Sequence, residues 1–451
     1  MKESFNRFKQ NLALWLDFIK NYFLLFIHKY FYILTAFIIT ALSLYARFSV
    51  ALHPTQDVVG YVFKWMKDIK SVGFNNFYTV KSDYSPLFLF IVGIFTLLPT
   101  GNVITVGSYT FYKNWMYYVK GMYFITEITI AIGIYLVVKT ITSDKKLAWL
   151  GYIIYLCLPV QFFNSAVWGN ADTMYFACFI YIIYFTLKSK DGLAFFLLGV
   201  SFGLKLQAVF ILPFLVFMLA SGKMKFYKTI FAPLGLFMTF LPAYCFGASL
   251  LQPFKFFSEQ INGYKKLTLG CANIWHIINL RDKNLETFEN GATFLGLLLI
   301  GLFTAIVFAR KIKLNSDNIL LIATFLISIV PMFLPHMHER YFYALDVLIL
   351  VYCLVCKKHY FLIVLMQLSS GIAYHNYLAG RHFIQSWGED SVNIASWINI
   401  ATLCVLFYDI LKLETEGNID SHVSHYQQKI EEIKSKLSNK TTDKQTNSEK
   451  E

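Results

Sequence analysis

The residues able to do chemistry in this chain stand at the ends of its apolar runs. Asp57 follows the first run. Trp168-Gly169-Asn170-Ala171-Asp172 and Lys205-Leu206-Gln207 border later ones, and His336-Met337-His338-Glu339-Arg340-Tyr341 lies just beyond Pro335. A carboxylate such as Asp57 can take a proton from a hydroxyl, a contribution of about 10²–10⁴-fold to a rate. Arg340 offers a planar bidentate fork that matches phosphate. Lys205 stands near the middle of an apolar stretch, where an unpaired cation costs roughly 2.5–3.5 kcal/mol, so it must be paired or face water. Glu127, midway along another run, is the carboxylate expected to pair with it. Trp168 and Tyr341, beside the charged groups, could stack on a sugar ring.

Each group also has a plainer reading. Asp57 could be the N-cap of a helix over 58–71, since Asp is favoured there. In Asp83-Tyr84-Ser85-Pro86-Leu87, Asp83 or Ser85 could cap a helix over 86–99, because Pro suits a first helical turn. Lys205 is as suited to a structural ion pair as to a phosphate. His336, His338 and Glu339 are metal-ligand types, but two His two residues apart lack the helical i, i+4 spacing. A divalent metal is therefore not favoured, and no cofactor is required.

The elements that must position these groups are membrane helices. The chain has 451 residues, 57% hydrophobic and only 15% charged, against about 25% charged in soluble domains. Its mean hydropathy is +0.51, and several runs approach the roughly 20 apolar residues that cross a bilayer. The formal charge of +13 does not point to nucleic acid, because Lys and Arg recur as short clusters between runs, as the positive-inside bias dictates. The seven cysteines lie mostly within apolar runs and read as small buried residues, Cys353-x-x-Cys356 included.

Threading by the Lys/Arg bias predicts three regions. Residues 1–30 read as a cytoplasmic amphipathic helix on the inner leaflet, and 31–411 as a bundle of about 11–13 transmembrane helices. Residues 412–451 read as a charged, partly disordered cytoplasmic tail, with a short heptad at Val423, Tyr426, Ile430, Ile433 and Leu437. Lys139, Lys145 and Lys146 mark an inner turn, which makes 86–99 a juxtamembrane helix of the first outer loop. The amphipathic stretch 58–71 lies in the same loop. Residues 192–221 are too few for two crossings and predict a short broken hairpin with Lys205 and Gln207 at its tip. Phe254, Phe256, Phe257, Trp275 and Ile277 in the loop 248–290 are expected to rest on headgroups. With both termini cytoplasmic, all the polar groups emerge near the outer face.

The order of these motifs resembles the GT-C superfamily of polytopic glycosyltransferases, and within it bacterial relatives of the GPI-anchor second-mannose mannosyltransferase. The stretch HMHERYFY at 336–343 is its most specific part, and the likeness spans about 31–411. The resemblance implies inverting transfer of a hexose from a polyprenyl-phosphate donor to a glycan, glycolipid or protein acceptor outside the cell membrane. It implies Asp57 as general base and Arg340, Lys205 and His338 toward the donor phosphate. Asp83, Trp168, Asn170, Asp172, Gln207, His336, Glu339 and Tyr341 would hold sugar or acceptor. The chain departs from the family where many relatives have Gln in place of Asn170. It departs again where the usual acidic pair is reduced to Gln56-Asp57, which weighs against a metal. The alternative is a transporter or flippase for a lipid-linked glycan or other anion, carried by a buried Glu127–Lys205 pair.

Overall fold

The structure is a computed structural model that describes residues 2–261, 267–278, 285–379 and 390–415. Its apolar runs are helices, and its Pro, Gly and charged breaks are their ends. α1 (Lys2–Val50) is one 49-residue helix, roughly 70 Å long at 1.5 Å per residue. No break separates residues 1–30 from the apolar stretch Lys29–Val50 that is long enough to cross a membrane. A π-helical turn, Gln56–Val62, leads into α2 (Phe63–Val72). Val58, Val62, Trp65, Met66 and Ile69 are buried along them, as the amphipathic pattern requires. α3 (Pro86–Leu97) packs against α2 and opens with Pro86 in its first turn.

A hairpin of β1 (Val103–Val106) and β2 (Tyr109–Tyr112) follows, pairing Val103 with Tyr112 and Val106 with Tyr109. Sequence reasoning passed over it, although the flanks of Gly107-Ser108 are rich in the β-branched and aromatic residues that favour strands. α4 (Lys113–Thr142) is a long span. α5 (Lys145–Cys157) breaks at Pro159 and bends by 53° into α6 (Pro159–Phe162) and its π-helical continuation Phe163–Trp168. α7 (Asp172–Leu187) and α8 (Asp191–Leu204) come next. Helix then stops at Lys205, whose backbone is extended (φ −159°, ψ 140°), and resumes as a 3₁₀ turn, Leu206–Ile211, and α9 (Leu212–Ala220). The break falls where the hairpin tip was expected. α10 (Phe231–Cys245) fixes α8 closely: a Cβ on Gly199 would lie 1.9 Å from the Ala232 carbonyl oxygen, so only glycine permits the approach.

The second half comprises α11 (Gln252–Ile261), β3 (Thr268–Leu269), α12 (Ile274–Ile278), α13 (Leu285–Ala309), α14 (Ser316–Phe333), β4 (Met337–His338), α15 (Tyr343–Cys356), α16 (Phe361–Leu378) and α17 (Asp390–Leu411). α14 and α15 form the centre of the core; every residue from Tyr343 to Val355 is buried. The loop 334–342 joins these two enclosed helices, so HMHERYFY is anchored at both ends in the core. Trp275 does not rest at a surface. It is 3% exposed, and its Nε1 donates to the Phe333 carbonyl at 2.7 Å while Asn273 Nδ2 donates to that of Pro331 at 3.1 Å. The free carbonyls at the end of α14 capture this segment. Phe254 alone of the five is strongly exposed, at 74%.

The architecture is mostly helical with four short strands among the described residues, consistent with an all-α class, and its long apolar helices are those expected of a multi-pass membrane protein. Six helices are long and apolar enough to cross a bilayer, the bent pair from Lys145 to Trp168 makes up to a seventh, and five shorter apolar helices accompany them among the described residues. The heptad of the tail lies outside the described residues.

Candidate functional site

Asp57 sits in the first turn of the π-helical segment but does not cap it. Thr55 holds the N-cap position, accepting from Val58 N at 3.4 Å, and its hydroxyl donates to the Trp168 carbonyl at 2.7 Å. The Asp57 carboxylate is thereby left for other partners. Its Oδ2 accepts from Trp168 Nε1 at 2.8 Å and Asn170 Nδ2 at 3.2 Å, and its Oδ1 accepts from the Tyr377 hydroxyl at 3.1 Å.

The segment carrying Trp168 and Asn170 is built to reach Asp57. The amides of Gly169 and Asn170 both donate to the Asn164 carbonyl at 3.0 Å, which folds the chain back on itself. Gly169 adopts a left-handed conformation (φ 76°), and a Cβ there would lie 2.6 Å from Val58 Cγ2. Glycine is needed on both counts. Lys120, fully buried on α4, donates from Nζ to the carbonyls of His53 (2.7 Å), Ala166 (2.8 Å) and Val167 (3.0 Å). One ammonium thus ties the chain before Asp57 to the chain before Trp168, with its three donors in use.

A second carboxylate organises the cations. Asp172, fully buried in the first turn of α7, forms an ion pair through Oδ1 with Lys205 Nζ and another through Oδ2 with Arg340 Nε at 3.2 Å. The amide of Asp172 donates to Asn170 Oδ1 at 3.2 Å, so the two carboxylate systems are in contact. Arg340 also donates from Nη1 to Glu339 Oε1 at 2.7 Å, and its guanidinium carbon lies 5.3 Å from the Trp168 ring centre. Lys205 Nζ is ringed by Tyr84, Tyr175 and Tyr341 at 5.7–6.0 Å from their centres. Such faces attract a desolvated cation. The Gln207 side-chain amide donates to the Tyr341 hydroxyl.

His338 is bound into the same group, with Nδ1 3.7 Å from Glu339 Oε2. Burial alone would raise the Glu339 carboxyl. The His338 hydrogen bond and the Arg340 and His338 charges outweigh it, and the carboxyl ends below its ordinary value of 4.5. The loop's path is fixed from outside: β4 pairs in parallel with β3, and the His336 amide donates to the Leu267 carbonyl at 2.9 Å while His336 takes a positive φ of 61°. No group of three or more His, Cys, Asp or Glu among the described residues has metal-holding geometry.

Asp57, Trp168, Asn170, Asp172, Lys205, Gln207, His338, Glu339, Arg340 and Tyr341 therefore form one connected cluster. His336 adjoins it as the start of the loop. Asp83 is exposed and neighbours Tyr84, which does reach Lys205; Ser85 takes the N-cap position of α3 without a side-chain cap bond. Two expectations are corrected. Glu127 does not pair with Lys205 but accepts from Arg47 Nε of α1 at 2.6 Å. Trp168 is fully buried and Tyr341 is 6% exposed, so neither ring is open to a sugar. Sequence reasoning missed Lys120, Tyr84 as a cation partner, Tyr374, which accepts from Asn164 Nδ2 at 2.9 Å, and Tyr377. Lys120 carries the same signal as Lys205, a cation inside an apolar run.

No protein-family model matches this chain, and no curated protein matches it either.

Proposed function

We propose that the chain is a membrane glycosyltransferase of the GT-C type, moving a hexose from a polyprenyl-phosphate donor to an acceptor hydroxyl on the outer face. The observation that carries this reading is the joining of one hydrogen-bonded carboxylate, Asp57, to two largely enclosed cations, Lys205 and Arg340, with side chains 12% and 11% exposed, through Trp168, Asn170 and Asp172.

The chemistry needs no more than these parts. The acceptor oxygen attacks the anomeric carbon from the face opposite the phosphate, and its proton passes to Asp57. The bond from the anomeric carbon to the phosphate oxygen breaks, its electron pair leaves with the polyprenyl phosphate, and the configuration inverts. A phosphate is already a good leaving group, so stabilising its charge matters more than protonating it. Asp172 and Glu339 hold the cations in position before any substrate arrives, and cations that need not reorganise stabilise a developing charge best. His338 and Tyr341 of the loop, with Gln207 reaching Tyr341 from the 3₁₀ turn, would orient the donor, while Asp83 and His336 would bound the sugar and acceptor.

The transport alternative rested on a Glu127–Lys205 pair. With each residue paired elsewhere, glycosyl transfer is the reading that uses the cluster. Both termini would be cytoplasmic and the site extracytoplasmic.

The test is release of polyprenyl phosphate from a short-chain polyprenyl-phosphate mannose, with candidate acceptors such as methyl α-mannopyranoside present, by the purified chain and by Asp57→Ala. Wild type is expected to release it, and the variant to do so about 100-fold more slowly or worse. Equal rates would remove Asp57 from the mechanism.

A further inference from the structure

Among the described residues, the Asp57 carboxylate is one partner short of its accepting capacity. An ionised carboxylate offers about four lone-pair sites, two on each oxygen. Oδ2 uses both, on Trp168 Nε1 and Asn170 Nδ2, whereas among the described residues Oδ1 accepts from the Tyr377 hydroxyl alone. The ring that supplies this hydroxyl is the open end of an aromatic stack. Tyr377 lies on Trp168 with ring centres 4.6 Å apart and planes 16° from parallel, and Tyr374 meets the Trp168 ring edge-on at 5.1 Å. Trp168 and Tyr374 are buried, at 0% and 3%, while Tyr377 is 44% exposed.

We infer that Tyr377 is the acceptor-recognition residue of this site. A neutral pyranose stacks on the face of Tyr377 turned away from Trp168, and one of its hydroxyls takes the vacant lone pair of Asp57 Oδ1. For its chemistry this rests on the glycosyl-transfer reading; as a saccharide site it rests on the stack and the carboxylate alone. An aromatic face beside a fixed carboxylate suits a sugar, whose C–H face is apolar and whose rim is hydroxyls. The hydroxyl so bound is also the one whose proton Asp57 can take, so recognition and activation fall on the same atom. Trp168, assigned to the sugar on sequence grounds, becomes the support beneath the contacting ring.

The experiment is saturation-transfer NMR of methyl α-mannopyranoside with the full chain in lipid nanodiscs, run beside the polyprenyl phosphate release assay. Wild type is expected to transfer saturation to the pyranose C–H protons. Tyr377→Leu, which keeps bulk over Trp168, should weaken binding about tenfold. Tyr377→Phe, which keeps the ring, should stay within about threefold. In the release assay the KM for acceptor should rise in Tyr377→Leu while that for donor moves far less. No saturation transfer in wild type, equal binding by Tyr377→Leu, or a matched rise in both KM values would each overturn the inference. Sugar binding that depends on Tyr377 without any release of polyprenyl phosphate would sustain the saccharide site and overturn the transferase reading instead.

Discussion

Glu339 shows how much of this site is settled by single side chains. It is 3% exposed, yet it is held ionised by His338 and Arg340 and its carboxyl is depressed below 4.5. A carboxyl depressed on folding contributes stability that is complete above its unfolded value and is lost as the pH falls through its folded value. Unfolding midpoints of wild type and Glu339→Gln, measured in detergent from pH 7 to pH 3, are therefore expected to differ most near neutrality and to converge in acid. Parallel curves would mean that Glu339 adds nothing to folding through its charge. At this scale the polar residues were readable in advance, because a charge at or inside an apolar run is costly and must have a reason. Their partners were not: nothing in the spacing distinguishes Arg47 from Lys205 as the mate of Glu127. Tyr377 was invisible for a different cause. In a chain that is 18% aromatic, one more tyrosine carries no signal until its neighbours are known.

The elements place these residues by being broken. Lys205 reaches Asp172 because helix stops for one extended residue between α8 and the turn that follows. Trp168 reaches Asp57 because the bent continuation of α5 ends at a left-handed glycine. The helix break at Lys205 was legible from run length, whereas the strands β1 and β2 are too short to stand out between long helices. Lys120 is the fastening between the two broken segments, and its loss sets two terms against each other. The buried Ala166 carbonyl loses its donor, at about 1–3 kcal/mol, and the part-buried carbonyls of His53 and Val167 lose less, but a buried ammonium with a desolvation cost of several kcal/mol is also removed. Lys120→Met should therefore shift the unfolding midpoint little and impair function more. About 10–100-fold slower release of polyprenyl phosphate is expected, the scale of loss that a misplacement near 1 Å produces. Unchanged release with a collapsed midpoint would make Lys120 a packing residue only.

For the whole molecule, the arrangement stands or falls on sidedness. The hairpin of β1 and β2 lies on the side of the site, its Tyr109 hydroxyl 3.4 Å from Gln56 Oε1, and Ser143 lies at the far end of the 30-residue α4. A thiol introduced as Ser108→Cys should react with a membrane-impermeant maleimide on intact cells, and one introduced as Ser143→Cys only after permeabilisation. The reverse pattern would put the cluster on the cytoplasmic side and end the case for an outer-face reaction. Against the roughly 11–13 crossings expected, six helices, or seven with the bent pair, are long and apolar enough among the described residues; that the chain is rich in apolar helices was readable from composition. Which of them traverse the bilayer was not, because helices as short as Asp172–Leu187 are lodged among others and need not match its thickness.

Asp172 gives the architecture a further property. The two basic groups come from distant stretches, one from the gap after α8 and one from the turn before α15, and a single acid holds both. Neither can be withdrawn without freeing a carboxylate oxygen that the other must then satisfy. The first and second halves of the bundle are consequently coupled at this cluster. Energies of substitution at positions 205 and 340 will not add, since each is measured against the same shared counterion.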